Sequence, residues 1–123
     1  MHLVKLKIKK DRNTIQYIKL LRGFDSSLSL SGIKNGIEAG ETVLTFDLDN
    51  REWIYEEDMT ENKYHRRFWQ FLQQLQRAGA ALSLTYEYEV FGEWKIKAIS
   101  MKELDRIIRF NKEIADEVEN NPD

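Results

Sequence analysis

Carboxylate side chains form the densest group with ligand chemistry in this sequence. The run consists of Asp47, Asp49, Glu52, Glu56, Glu57 and Asp58. Such a run could hold a divalent cation, and the spacing of Asp47 and Asp49 is the one that opens an EF-hand calcium loop. The pattern then departs from that loop, because Arg51 stands where a third ligand is needed and Glu52 where the turn needs glycine. We therefore expect a solvated acidic loop and no metal ion.

Histidine and cysteine chemistry is sparse. The two histidines are His2 and His65, and no serine or aspartate stands at a spacing from His65 that specifies a catalytic triad. The glycine-containing segment 32–36 lacks the form of a phosphate-binding loop. Cysteine is absent, which excludes disulfides, thiolate catalysis and cysteine zinc sites. The sequence therefore predicts a protein that is not an enzyme and that binds no cofactor.

A ribbon of lysines on the first predicted strand could contact phosphates, and it makes nucleic-acid binding the second hypothesis. Lys5, Lys7 and Lys9 share one face of this strand. Glu87 and Glu89 lie on the corresponding face of a later strand, so pairing of the two strands would set opposite charges beside each other, at about 0.2–1 kcal/mol per pair. The whole chain has 19 Lys and Arg against 21 Asp and Glu, so its net charge points to no anionic partner.

Tryptophan and tyrosine side chains outside the predicted core are candidates for protein contacts, because such residues dominate interface hot spots. Trp69 lies off the apolar arc of its helix, one turn after His65, and Trp53 shares one side of its segment with Tyr55. The alternative is that the last strand and helix cover these aromatics. We expect that covering for Trp94, whereas for Trp69 the two alternatives are nearly balanced.

The element that positions most of these groups is a long helix predicted over residues 58–79. It can begin at Asp58 or Thr60, either of which can cap free amides, and it ends at Gly79. Phe68 and Leu72 lie at the centre of its apolar arc. The whole arc consists of Tyr64, Phe68, Phe71, Leu72, Leu75 and Ala78.

Period-two and helical patterns predict the other elements. Residues 49–58 suit either a hairpin arm or an acidic loop, and we favour the arm. Gly32 and Gly36 lie four apart on one helix face, which predicts close approach of another backbone. In chain order we expect a strand at 3–9, and then a helix that is capped by Asn13 or Thr14, ends at Gly23 and has Ile15, Ile18 and Leu21 inward. A helix from Ser29 to Gly40 and strands at 42–48 and 81–90 follow. The chain then turns at Gly92 and Glu93 into a strand at 94–99 and a helix at 101–119, which a capping box at Ser100 and Glu103 opens.

A chain of 123 residues with 41% hydrophobic content suits one domain over residues 1–123. The order of elements predicts a two-layer α+β fold, with a mixed or antiparallel sheet and the helices on one face. The start of the chain alternates apolar residues with lysine, and no long apolar run follows, so we expect a cytoplasmic protein without a membrane segment. The last helix can pack within its chain or pair with a second copy through Asn111, and we favour a monomer over a homodimer.

Three stretches are similar to one known family. They are IKLLRG at 18–23, LSLSGIKNGIEAG at 28–40 and LQRAGAALSL at 75–84. Together with the element order, they resemble the C-terminal domain of the bacterial ribosomal stalk protein over about residues 3–90, with a strand and helix added at 91–119. The resemblance implies a free-standing domain of that shape and not the ribosomal protein itself. In the family, basic residues on these helices contact translational GTPases, which implies partner contacts at Lys19, Arg22 and Lys34.

These observations favour a non-enzymatic protein-interaction module of the bacterial cytoplasm, whose partner they do not identify. The alternatives are a nucleic-acid-binding protein that uses the Lys-rich first strand and, third, an enzyme of unknown class. The candidate partner-binding residues are His65, Trp69, Trp53, Tyr55, Lys19, Arg22 and Lys34.

Overall fold

Four antiparallel strands and four helices make up most of the part of the chain that the computed structural model describes, residues 2–49, 53–56 and 59–109. In chain order the elements are β1 (His2–Ile8), α1 (Thr14–Phe24), α2 (Leu30–Ala39), β2 (Leu44–Asp47), β3 (Trp53–Glu56), β4 (Met59–Asn62), α3 (Lys63–Arg77), β5 (Leu82–Val90), β6 (Glu93–Ile99) and α4 (residues 101–109).

The main sheet has the strand order β2-β1-β5-β6, and every neighbouring pair is antiparallel. Side chains alternate between the two faces along each strand, so Val4, Leu6 and Ile8 all point to one face, where they are buried. Leu6 pairs with Leu44 on one side and with Leu84 on the other, which extends this apolar face across three strands. The predicted α+β fold with an antiparallel sheet is confirmed.

The long helix α3 contributes the centre of the core. Phe68 is fully buried, and its ring stacks on Phe46 of β2 with centroids 4.1 Å apart. Phe71 stacks in the same way on Phe24 at the end of α1, at 4.4 Å. Leu72 is also fully buried, so the predicted centre of the apolar arc is confirmed. These contacts join α1, α3 and the sheet through aromatic rings.

The predicted start of the long helix is wrong. Residues Met59–Asn62 form β4, which pairs antiparallel with β3, and α3 begins only at Lys63. Because Thr60 lies in a strand opposite Tyr55, its backbone belongs to a sheet ladder and it cannot cap a helix. Asp58 lies outside the described residues. The same pairing confirms the hairpin arm for the part of 49–58 that forms β3.

Helix ends follow the local cap signals at Gly79 and at Ser29. Gly79 has φ +97, and the N–H groups of Gly79 and Ala80 donate to the carbonyls of Gln76 and Leu75, at 3.0 Å each, which is the Schellman pattern. Ser29 accepts a hydrogen bond from the Gly32 N–H at 3.0 Å and caps α2. The last turn of α1 differs from the prediction because it continues through Gly23 to Phe24, whose ring is held by Phe71.

Two further predictions for α1 and α2 need correction. Ile15 is largely exposed, because Tyr17 takes the inward position in the first turn and donates its hydroxyl to Asp11 at 2.8 Å. A Cβ on Gly36 would lie 2.9 Å from the side-chain Cγ1 of Val43 and 3.6 Å from the backbone oxygen of Thr42, so the close neighbour is a side chain and the backbone lies only at ordinary contact distance. At Gly32 the near atom is the capping hydroxyl of Ser29, at 2.6 Å, and not another backbone.

The C-terminal helix α4 packs within its own chain. Ser100 and Glu103 form the predicted capping box: the Glu103 N–H donates to the Ser100 hydroxyl oxygen at 3.1 Å, and the Ser100 N–H donates to the Glu103 carboxylate at 3.3 Å. Leu104 is fully buried in the main core, and Ile107 packs against it. Asn111 and the rest of the predicted helix lie outside the described residues. No helix that the structure describes has both the length and the apolar character of a membrane span.

Candidate functional site: the open sheet face

The sheet face opposite the core carries a mixture of charged and apolar side chains that we call the open face. It consists of Lys5 on β1, Thr85 and Glu87 on β5, and Trp94, Ile96 and Ala98 on β6. Strand alternation places the side chains of these residues on one face of the sheet, and those of Val4, Leu6 and Leu84 on the other face. Trp94 is 44% exposed and Ile96 is 66% exposed. The open face therefore presents large apolar side chains to solvent.

A buried carboxylate organises this face. Glu87 is only 6% exposed, although it lies on the solvent side of the sheet. Its Oε2 lies 2.9 Å from the Lys5 Nζ, and its Oε1 accepts a hydrogen bond from the Trp94 indole N–H at 3.0 Å. The carboxylate thereby ties β1 to β6 across β5. As a result, the indole of Trp94 is held in one position while much of its ring stays in contact with water.

The Glu87 contacts predict a pH response. The hydrogen bond from Lys5 lowers the pKa of Glu87 most, partial burial opposes that effect, and the Trp94 N–H lowers the pKa further. Because the pKa of Glu87 is lower in the folded than in the unfolded chain, its carboxylate contacts stabilise the fold fully above the unfolded-state pKa. This stabilisation is lost as the pH falls through the folded-state pKa. We therefore expect the acidic transition of the Trp94 indole N–H resonance to have its midpoint below the ordinary pKa of a glutamate side chain, which is about 4.3.

The control for this titration is Glu89→Gln, which removes the charge of the exposed acid opposite Trp94 in the strand register; this can offset the resonance, but its acidic transition should remain. Glu87→Gln should remove the acidic transition of Trp94. A transition of the Trp94 resonance above the ordinary carboxyl range would contradict the lowered pKa of Glu87.

The tip of the β5–β6 hairpin holds an aromatic residue that the fold does not bury. Val90 pairs with Glu93, so Phe91 and Gly92 form a two-residue turn with φ +50 and +79. Positive φ at both positions is the type I′ geometry, which favours asparagine or glycine. Phenylalanine there carries a backbone strain of about 1–3 kcal/mol, and its side chain is fully exposed. The strain and the exposure have no compensating contact within the described residues.

The prediction that Trp94 is covered is wrong. The added strand and helix bury Ile99 and Leu104, but these lie on the core face of the sheet, together with the other buried apolar side chains. Trp94 is five residues before Ile99 and therefore points to the opposite face. The added helix thus covers the side of the sheet on which Trp94 does not lie.

His65 and Trp69 lie in or against the core. His65 is 2% exposed, and its Nε2–H donates to the Leu48 carbonyl at 2.8 Å. Its ring meets Phe46 edge-on, at a centroid distance of 6.4 Å. The prediction of His65 as a partner contact is wrong, because this hydrogen bond and the surrounding rings hold its side chain inside. Trp69 is half-buried and packs against the core, and its covering by the last strand and helix stays a prediction.

The remaining predicted contact residues do not meet at one place. Lys19, Arg22 and Lys34 are all exposed, on α1 and α2. Lys19 lines a shallow groove of about 320 Å³ between α1 and α3, but Arg22 and Lys34 do not line it. The side chains of Trp53 and Tyr55 lie outside the described part of the chain. None of the described members of the predicted set lies on the open face.

The α1–α3 groove has its own polar chemistry. Arg67 donates from Nη2 to the Phe24 carbonyl at 2.7 Å, and its guanidinium lies 5.0 Å from the centroid of the Phe24 ring. Arg67 therefore closes the end of α1 and is fixed by two contacts. The groove is lined by Lys19, Leu20, Gly23, Phe24, Arg67, Gln70, Phe71 and Gln74.

The acidic run and the lysine ribbon can be assessed only where the structure describes them. Asp49 accepts hydrogen bonds from the His2 backbone N–H at 2.8 Å, and its other oxygen lies 2.9 Å from His2 Nδ1. Among the described residues no group of three His, Cys, Asp or Glu could hold a metal ion. β1 and β5 pair, as the charge-compensation argument required, and Lys5 is engaged by Glu87. The lysine ribbon is therefore partly neutralised on its own sheet.

The sequence patterns did not predict Phe91 and Ile96 as surface residues, and they placed the turn at Gly92 and Glu93. The observed turn is Phe91 and Gly92. One signal was present in the sequence: an aromatic residue directly before glycine, between two strands of alternating pattern, stands where side chains are seldom buried.

None of the comparisons with known proteins, against family models, curated proteins and solved structures, gives a match for this chain. The similarity to the ribosomal stalk domain stays a prediction.

Proposed function

We propose that this protein is a non-enzymatic protein-interaction module whose contact surface is the open face together with the tip of the β5–β6 hairpin. One observation supports this most directly: Trp94 is held in place by Glu87 while 44% of its surface is exposed. An exposed indole in a fixed position loses little conformational freedom on binding, which is the property of an interface anchor. Ile96 and Phe91 extend the apolar surface on either side of it.

Charge supports a protein partner over nucleic acid. The open face has Lys5 on β1, but the Glu87 carboxylate lies 2.9 Å from its Nζ, and Glu89 is exposed on the same side of the sheet. Nucleic-acid binding needs lysine or arginine side chains that replace the counterions around the phosphates. A lysine paired with a buried carboxylate contributes little to that replacement. Nucleic-acid binding through the first strand remains the second candidate. The proposal takes the protein to be a cytoplasmic monomer, as the sequence predicts.

Affinity capture from native lysate tests the proposal. We expect the wild-type chain to retain a defined protein at moderate salt and Trp94→Ala to weaken that retention by about thirtyfold, as for a hot-spot residue worth about 2 kcal/mol. Ile15→Ala is the matched control, because Ile15 is an equally apolar and largely exposed residue on α1. Equal capture by wild type and Trp94→Ala would contradict the proposed surface. Capture of nucleic acid that is lost as salt rises would support the second candidate.

A further inference from the structure

The outer edge of β6 is the longest unpaired strand edge in the described part of the chain. β6 has seven residues and ends the strand order β2-β1-β5-β6, whereas the opposite edge strand β2 has four. The short strands β3 and β4 pair with each other in a separate sheet. Every residue of β6 before Ile99 is exposed. The edge of β6 is therefore open to a further strand.

The hairpin turn decides which backbone groups face outward. In an antiparallel pair closed by a two-residue turn, the residues that flank the turn exchange hydrogen bonds, and the phase then alternates. Val90 and Glu93 flank the turn, so Glu93, Lys95 and Lys97 direct their backbone groups to β5. It follows that the N–H and C=O groups of Trp94, Ile96 and Ala98 point away from the sheet.

Side chains along this edge carry two different chemistries. The residues with outward backbone groups, Trp94, Ile96 and Ala98, place their side chains on the open face. Lys95 and Lys97 place theirs on the other face and remain about half exposed. Lys95 lies 2.8 Å from Glu93, and Lys97 lies 3.3 Å from Glu103. A strand laid along β6 would therefore meet apolar groups on one face and two lysines on the other.

Charge argues against a second copy of this chain as that strand. Each antiparallel self-pairing centred on Lys95, Ile96 or Lys97 places a lysine opposite a lysine, and only the register centred on Lys95 also places an acid, Glu93, opposite Lys97. Like charges directly opposite each other destabilise a strand pair. A segment with acidic residues at those positions would instead gain opposite-charge pairs, because Lys95 and Lys97 are paired only with solvent-accessible carboxylates, those of Glu93 and Glu103, and not with a buried one as Lys5 is. The edge therefore favours an acidic strand over its own copy.

We propose that β6 accepts an added strand from a partner protein, an extended segment in which apolar residues alternate with acidic residues. This inference rests on the proposed function and names how the partner binds. The partner's apolar side chains lie on the open face beside Trp94 and Ile96, and its acidic side chains lie beside Lys95 and Lys97. Its backbone bonds to the outward groups of Trp94, Ile96 and Ala98, which is the strand-addition mode of peptide recognition.

A synthetic peptide of about nine residues, capped at both ends and alternating valine with glutamate, is the probe. Amide hydrogen exchange by NMR is the readout. In the free protein we expect fast exchange at Trp94, Ile96 and Ala98 and slow exchange at Lys95 and Lys97. With saturating peptide, exchange at the first three amides should slow by at least about tenfold, and exchange at the two lysines should hardly change.

Three control peptides separate strand addition from other contacts. Replacing every glutamate by lysine should weaken binding by about tenfold or more, because two favourable cross-strand pairs become repulsive. A peptide with methyl groups on every second backbone nitrogen, on the edge that faces β6, should bind no better than the lysine peptide. The same methyl groups on the other edge should have little effect, which controls for the added apolar surface.

Variants of the protein provide a matched pair. Ala98→Pro removes one outward N–H at a position where an edge strand tolerates proline, and it should weaken peptide binding by about tenfold. Ala98→Val keeps the N–H and adds a side chain suited to strands, so binding should be retained. The methylated peptides give the same information with the unchanged protein, so the test does not depend on the folding of Ala98→Pro.

Several outcomes would overturn the strand-addition proposal. These are no peptide-dependent protection at Trp94, Ile96 and Ala98, equal binding of the lysine peptide, or equal binding of both methylated peptides. Self-association of the wild-type chain that Ala98→Pro abolishes would assign the edge to a second copy instead. If the peptide fails to bind while lysate capture still depends on Trp94, strand addition is wrong and the proposed function stands. If the peptide protects the edge but Trp94→Ala leaves lysate capture unchanged, the proposed function is wrong in its choice of anchor.

Discussion

Replacing Phe68 by alanine is expected to lower the free energy of unfolding by about 3–5 kcal/mol. The Phe68 ring is fully buried. Its centroid lies 4.1 Å from that of Phe46, on which it stacks, and 6.1 Å from that of Phe24. Its removal leaves a cavity between α3, α1 and β2 that the neighbouring rings cannot fill without losing their own stacking. Denaturant unfolding followed by circular dichroism measures the loss as a lower midpoint.

The matched control for Phe68→Ala is Ile15→Ala. Ile15 is an apolar residue on α1 that the structure leaves largely exposed, so its replacement should change stability by less than about 0.5 kcal/mol. A Phe68→Ala protein that unfolds at the wild-type midpoint would show that α3 turns a different face to the sheet.

Replacing Leu104 by alanine is expected to lower the free energy of unfolding by about 2–5 kcal/mol. Leu104 is fully buried in the same core as Leu84 and Ile99, although it belongs to a helix at the end of the described chain. The cost arises because Leu104 is the fully buried contact of α4 with the core, whereas Met101, Ile107 and Ile108 are only partly buried and do not fill its place. Thermal and denaturant unfolding measure the change.

Lys102→Ala serves as the comparison for Leu104→Ala, because Lys102 is exposed on the same helix and its loss should have little effect. Sedimentation of both variants tests whether α4 packs within one chain. A wild-type dimer that becomes a stable monomer in Leu104→Ala would mean that the helix buries its apolar side against a second copy.

The two sides of the sheet have separate roles in these predictions. Phe68 and Leu104 lie on the core side, and their replacement should lower stability. Trp94 and Ile96 lie on the open face, and their replacement should lower partner binding with much smaller effects on folding. Measuring stability and capture for all four variants would therefore test the assignment of each face.

The sequence by itself determined the features that depend on neighbours within a few residues. Strand alternation predicted the inward set Val4, Leu6 and Ile8, and helical periodicity predicted the burial of Phe68 and Leu72. Local cap chemistry predicted the Schellman end of α3 at Gly79, and the capping box that opens α4. These predictions held because the hydrogen bonds concerned join residues a few positions apart.

Only the tertiary structure decided which residues face solvent where two elements compete for one position. The sequence could not show that 59–62 pairs with β3, because strand pairing gains its energy across the hairpin and overrides a cap signal at Thr60. The sequence also predicted His65 as a surface contact and Trp94 as a covered residue, whereas His65 is buried and Trp94 is exposed. His65 finds the Leu48 carbonyl inside the core, and Trp94 finds Glu87 on the open face. Leu48 is distant from His65 in sequence, and Glu87 meets Trp94 only through the register of β5 and β6, so no local pattern predicts either partner. The same strand register determines which face of the sheet α4 covers and which edge β6 leaves open.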